Sequence, residues 1–151
     1  MERSFSSEIR SLSLGAGETF HGEGILAVTK ALLQSGVSYV GGYQGAPVSH
    51  LLDVMVQARD YMDELGVHVE ACTNEASAAL SNLSSPGVAG DALIVVGEDY
   101  GEGASVIQER THAYAMKSTL ALFDPRPDLA KMVDLVEHAF ALSEASNMPA
   151  V

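Results

Sequence analysis

The chain predicts an α/β fold with a mainly parallel sheet and helices on both faces. Three observations lead there. Short apolar runs alternate with stretches of helical periodicity, glycine-rich turns follow several of the runs, and Ala92-Leu93-Ile94-Val95-Val96 is continuously apolar, as a strand buried on both faces would be. Ligands in such sheets bind beyond the carboxyl ends of the strands, so the turns at Gly41, Thr73 and Gly97 are the places to look for function.

Met1 to Thr19 mixes Ser, Glu and Arg around Ile9, Leu12 and Leu14. Residues 1–20 are therefore set apart as an N-terminal arm, lying on the domain or on a neighbouring subunit, and residues 21–151 as the domain. After Gly22-Glu23-Gly24 an amphipathic helix turns Ile25, Val28, Leu32 and Leu33 inward and stops near Gly36. Val37 to Val40 is a brief strand. Gly41-Gly42-Tyr43-Gln44-Gly45-Ala46-Pro47 then turns the chain, and Pro47 suits the first position of a helix. That helix carries Val48, Leu51, Leu52, Met55, Ala58, Met62 and Leu65 at helical spacing, with Gly66 to end it. A second strand, Val67 to Cys72, delivers Thr73-Asn74-Glu75 to the sheet mouth, where Asn74 reads as an N-cap and Glu75 falls in the first turn of a small-residue helix.

Ser84-Ser85-Pro86-Gly87 breaks that helix before the apolar 92–96 strand, and Gly97-Glu98-Asp99-Tyr100-Gly101-Glu102-Gly103 is the next turn. A helix from about Ala104 to Ala115 and an apolar run from Thr119 to Phe123 follow. Beyond Asp124-Pro125-Arg126-Pro127, a last helix shows one stripe of Leu129, Met132, Val133, Val136, Ala139 and Phe140. Residues 147–151 read as a turn and the first residues of another strand.

At 151 residues and 47% hydrophobic the chain suits one domain with a sizeable core. A net charge of −12 with only 8 Lys and Arg argues against nucleic-acid or anionic-membrane surfaces, which need clustered cations. The single cysteine, Cys72, excludes an internal disulfide and an iron–sulfur cluster held by this chain. A cytoplasmic setting fits, and the apolar runs fall short of the roughly 20 residues of a membrane span.

The runs GYQGAPVSHLLD and ACTNEASAA, with the later VGEDYGEGASVIQERTHAYAMKS, the DPRP turn and the ending SEASN, resemble the pyrimidine-binding domain of the thiamine-diphosphate-dependent 2-oxoacid:ferredoxin oxidoreductases, nearest to indolepyruvate ferredoxin oxidoreductase. The likeness is ordered and runs from about Gly22 onward. It implies the thiamine-diphosphate-binding fold and an oligomeric enzyme. That enzyme would decarboxylate 2-oxoacids oxidatively to acyl-CoA, with ferredoxin as electron acceptor and coenzyme A as acyl acceptor. This chain would hold only the pyrimidine half of thiamine diphosphate, and other domains or subunits would carry Mg²⁺ and the iron–sulfur clusters. By the same resemblance Glu75 is the catalytic acid, hydrogen-bonded to ring nitrogen N1′ of the aminopyrimidine, and Tyr43, Gln44, Gly45, Ala46, Pro47, Asn74, Asp99 and Gly101 bind the cofactor or border its cleft. Gln108 and Glu109 belong to the same segment.

That role asks Glu75 to share a proton near neutral pH, in dry surroundings. Read without the resemblance, Glu75 is an acid favouring a helix dipole, the Tyr43–Pro47 turn is an ordinary strand-to-helix turn, and Glu98, Asp99 and Glu102 are solvated. Relatives commonly carry a threonine where Ala46 stands, and a further strand and turn where this chain passes from Ala79 straight to Leu80, as though one strand–helix unit were absent. No GDG-type diphosphate and Mg²⁺ loop is present.

His21, His50, His68, His112 and His138 show no metal-ligand spacing, so no metal site is expected. His50 reads as a surface residue and His68 as a packing partner. No GxSxG elbow supports hydrolysis by Ser or Cys. Two other classes compete with the oxidoreductase: a catalytically silent α/β module for assembly or small-ligand binding, and a flavodoxin-like nucleotide binder, the latter disfavoured because no phosphate loop follows the first strand.

Overall fold

The computed structural model describes residues 3–78, 91–98, 110–125 and 127–151. A 3₁₀ turn at Ile9–Ser13 precedes α1 (Gly24–Gln34), β1 (Tyr39–Gly42), α2 (Ser49–Gln57), α3 (Arg59–Leu65), β2 (His68–Ala71), α4 (Thr111–Ser118) and α5 (Leu129–Ser146). The fold is mixed α/β. β1 and β2 pair in parallel, Tyr39 opposite His68 and Gly42 opposite Ala71, so their carboxyl ends emerge side by side. The pairing reaches one bond further on each side, with His68 N donating to Ser38 O at 2.8 Å and Cys72 N to Gly42 O at 2.7 Å.

The remaining expected strands meet as a second, smaller patch of parallel bridges. Ala150 lies between Leu93 and Ala121, through Ile94 N to Ala150 O (2.8 Å), Ala150 N to Ala92 O (2.9 Å) and Val151 N to Ala121 O (2.9 Å). Among the described residues the sheet proper has two strands, β1 and β2, and the other expected strands are represented by isolated bridges. The 92–96 run is not buried on both faces: Ile94, Val95 and Val96 are 38–44% exposed, because pairing within it is confined to the residues around Leu93.

α1 lies at the centre, against α2, α5 and the 3₁₀ turn. Leu26, Val28, Ala31 and Leu32 enter the core with Val54, Met55, Met62 and Val136. Thr29, fully buried on this helix, meets its hydrogen-bonding need locally by donating to Ile25 O at 2.8 Å. Gly36 and Gly66, both at positive φ, end α1 and α3 where expected. The single helix expected from Pro47 instead begins at Ser49 and divides at Ala58. This buried residue's carbonyl accepts from both Tyr61 N (2.9 Å) and Met62 N (3.0 Å), so one helix ends and the next begins on the same residue.

α4 runs on to Ser118, three residues past the expected end, and Thr119 closes it at φ 57°. α5 starts at a true cap, Asp128 Oδ1 accepting from Lys131 N at 3.1 Å. Its inward stripe is the expected one from Met132 to Phe140, with Leu129 40% exposed at its start, and it continues to the buried Ser143, which accepts from Ala92 N at 3.0 Å and ties the second strand patch to the helix.

The arm lies on its own domain. Phe5 is fully buried and Leu12 nearly so. Phe5 N donates to Gln57 Oε1 at 2.7 Å, Gln57 Nε2 donates back to Arg3 O at 3.0 Å, and Lys30 Nζ donates to Leu12 O and Leu14 O at 2.8 and 2.6 Å. Arg3 pairs with Glu23, whose hydrogen bond is the main cause holding the guanidinium above its ordinary pKa. No helix among the described residues is long and apolar enough to cross a membrane.

Candidate functional site

Two of the turns singled out in the sequence sit next to each other because the strands they follow are parallel and adjacent. The first begins at Gly42, where a Cβ would lie 3.3 Å from Leu52 Cδ2, so the absence of a side chain lets α2 pack against the strand end. Gly45 N then donates to Tyr43 O at 2.8 Å, folding the turn tightly. A Cβ on Gly45 would stand 3.1 Å from Tyr43 Cδ1 and 3.4 Å from Glu75 Oε1. The Glu75 carboxylate therefore reaches across from the end of β2 to the Gly45 turn.

The third turn joins them. A Cβ on Gly97 would lie 2.8 Å from Pro47 Cγ and 3.0 Å from Val48 Cβ. Backbone at Gly97 thus rests directly on the start of the α2 segment, where the Ala46–Pro47 bond is cis. Gly45, Pro47, Glu75 and Gly97 form one contiguous cluster beyond the strand ends. Asp99, Gly101, Glu102, Gln108 and Glu109 lie outside the described residues.

The side chains are not all free to serve a ligand. Gln44 Nε2 donates to Asp53 Oδ1 at 2.6 Å, and Asp53 is only 8% exposed, so Gln44 anchors the turn to α2 by partnering a buried carboxylate. Sequence pattern alone did not single out Asp53; its place three residues past His50 on an otherwise apolar helix face was the available signal. Asn74 Oδ1 accepts from Ser77 N at 2.8 Å, which is the expected cap on helical residues 75–78. Tyr43 and Ala46 are exposed and Pro47 half-buried.

Glu75 is exposed, contrary to the dry environment the catalytic role asks of it. The physical reason is its place: it opens a helix at the end of β2, itself largely exposed, and the alanine next to it, Ala76, is exposed as well. Ion pairs among the described residues gather elsewhere, Arg3 with Glu8 and Glu23, and His112 with Asp124.

Two of the histidines pack against aromatic rings. His50 meets the Phe5 ring edge-on at 5.3 Å, facing the arm. His68 stacks on Tyr39 at 5.5 Å, and the Tyr39 hydroxyl donates to Glu70 Oε2 at 2.6 Å. Among the described residues no group of three or more His, Cys, Asp or Glu side chains could hold a metal ion.

What the cluster offers chemically is an open carboxylate beside a turn without a side chain, with an exposed tyrosine ring at its border. The Tyr43 ring and the Glu75 carboxylate together cover the face of Gly45, and the exposed carboxylate is the group open to a hydrogen bond from a ligand. Compared with protein-family models, with curated proteins and with solved structures, the chain matches none.

Proposed function

We propose that this chain supplies the pyrimidine-facing half of a thiamine diphosphate site in an oxidoreductase that converts 2-oxoacids, aryl ones such as indolepyruvate foremost, to acyl-CoA with ferredoxin as acceptor. The observation that carries the reading is the meeting of Glu75 with the Gly45 turn beyond the ends of parallel β1 and β2. In this reading the two strand patches belong to one parallel sheet with helices on both faces, one strand–helix unit shorter than its relatives.

The residues present fit the group in part. Tyr43 offers an exposed flat ring and Glu75 an exposed carboxyl, but both already cover the side-chain face of Gly45, so a bound ring would have to displace Tyr43 from it. When bound, the cofactor supplies an electron sink for decarboxylation. Glu75 would hold a proton at the ring nitrogen, Asn74 would fix the helix start that presents Glu75, and the Gln44–Asp53 pair would hold the turn in place. Because Glu75 is exposed here, water must be excluded by the domain or subunit that carries the diphosphate and Mg²⁺ site.

The test is Glu75→Gln in the complete assembly, recovered with its native partners and assayed for thiamine-diphosphate-dependent dye reduction with an arylpyruvate and coenzyme A. Turnover should fall by about a hundredfold or more. Unchanged turnover removes Glu75 from the mechanism.

The exposure of Glu75 favours a second reading, a catalytically silent α/β module for assembly or small-ligand binding, in which Glu75 only favours the helix start. It predicts no thiamine-dependent turnover even in the wild-type assembly.

A further inference from the structure

The N-terminal arm grips one helix at both of its ends. His50 and Gln57 lie two turns apart on one face of α2, and Val54, on the same face between them, is fully buried. Phe5 meets both. Its ring stands edge-on to His50 at 5.3 Å, and its N–H donates to Gln57 Oε1 at 2.7 Å, while Gln57 Nε2 donates to Arg3 O at 3.0 Å. One side-chain amide thus engages both a donor and an acceptor of the arm backbone. Further along, Lys30 Nζ on α1 donates to Leu12 O and Leu14 O, so the arm bridges α1 and α2.

The gripped helix also carries the turn at the candidate site. His50 stands in its first turn, three residues after Pro47, and Asp53, one turn further, accepts from Gln44 at 2.6 Å. Leu52 packs over Gly42. Glu75 is carried by a different element, the end of β2, so a shift of α2 changes the spacing between Gly45 and Glu75.

The grip is built to open locally. Phe5 is the one buried residue from Arg3 to Ser7, Gln57 is exposed, and residues 15–19, which join the arm to the domain, are all exposed. An element held by few buried groups opens at a lower free energy than the whole domain.

We propose that the arm is a strap regulating the Gly45–Glu75 cluster. Docked, it holds α2 and the turn anchored by Gln44 and Asp53 in register with Glu75; released, it lets that turn loosen while the rest of the domain stays folded. Phe5 and Gln57 are positioning residues that act through α2.

The experiment is NMR with amide hydrogen exchange on the full chain carrying Gln57→Ala, which removes both arm bonds from an exposed position. Alanine favours the helix itself, so any loss of protection in α2 comes from the arm. Exchange should quicken about fivefold or more in the arm and in α2, and the Gln44 side-chain amide signals should move toward those of a free amide, while amides of α5 keep their protection. Faster exchange confined to the arm, a uniform rise that includes α5, or no change would each overturn the proposal. In the complete assembly, Gln57→Ala should raise the thiamine diphosphate concentration for half-maximal turnover severalfold and leave the maximal rate largely intact. That expectation rests on the thiamine reading, whose failure shows separately as no thiamine-dependent turnover in the wild type. Unchanged half-saturation beside an active wild type would overturn the strap's control of the site.

Discussion

Glu75 Oε1 stands 3.4 Å from the point that a Cβ on Gly45 would occupy, so the turns closing two adjacent parallel strands meet at a carboxylate and a missing side chain. Gly45→Ala places a methyl against both Tyr43 and Glu75. Because both neighbours are exposed and able to yield, stability should change by less than about 1 kcal/mol. If the proposed thiamine site is real, turnover of the assembly should fall markedly, and paired denaturation and steady-state measurements separate the two effects.

Gly97→Ala should behave in the opposite way. Its Cβ would stand 2.8 Å from the Pro47 ring, which is tied to the backbone and cannot swing aside. A loss of about 1–3 kcal/mol in urea unfolding is expected. A variant as stable as the parent would show that the 97 turn does not rest on Pro47.

The Gln44–Asp53 bond supplies a third test. Removing the amide in Gln44→Ala takes a hydrogen bond from a nearly buried carboxylate, at a cost of about 1–3 kcal/mol. A double-mutant cycle with Asp53→Ala, which removes the acceptor, should return a coupling of about 0.5–3 kcal/mol, whereas additive losses would mean the two side chains act independently.

Phe5→Ala should destabilise the domain by about 3–5 kcal/mol, since the ring is fully buried and abuts His50. Equilibrium unfolding checks it, and a loss below about 1 kcal/mol would mean the arm is peripheral.

Local chemistry made much of this readable from sequence. The glycines at 36 and 66 stop helices wherever they fall, Asn74 caps whatever helix it precedes, and alternation of strand and helix already implies parallel neighbours. What escaped depends on partners far along the chain. Phe5 in a polar arm gives no periodic signal, and its burial comes from Gln57 and His50. Ser143 looks like a surface serine until Ala92 is set against it. The division at Ala58 lies in its backbone, whose ψ of 25° leaves the helical range between α2 and α3. Glu75 was correctly placed at a sheet mouth, but solvent exposure is a property of what surrounds a residue, and no periodicity around it could specify that.

The position of Ala150 between Leu93 and Ala121 bears on vectorial synthesis. β1 and β2 are both available once Ala71 has left the ribosome, whereas the other patch has no middle until Ala150 emerges. Nascent chains therefore pass through an interval in which the apolar segment Leu93 to Val96 awaits its central neighbour, with its strand edge still unpaired.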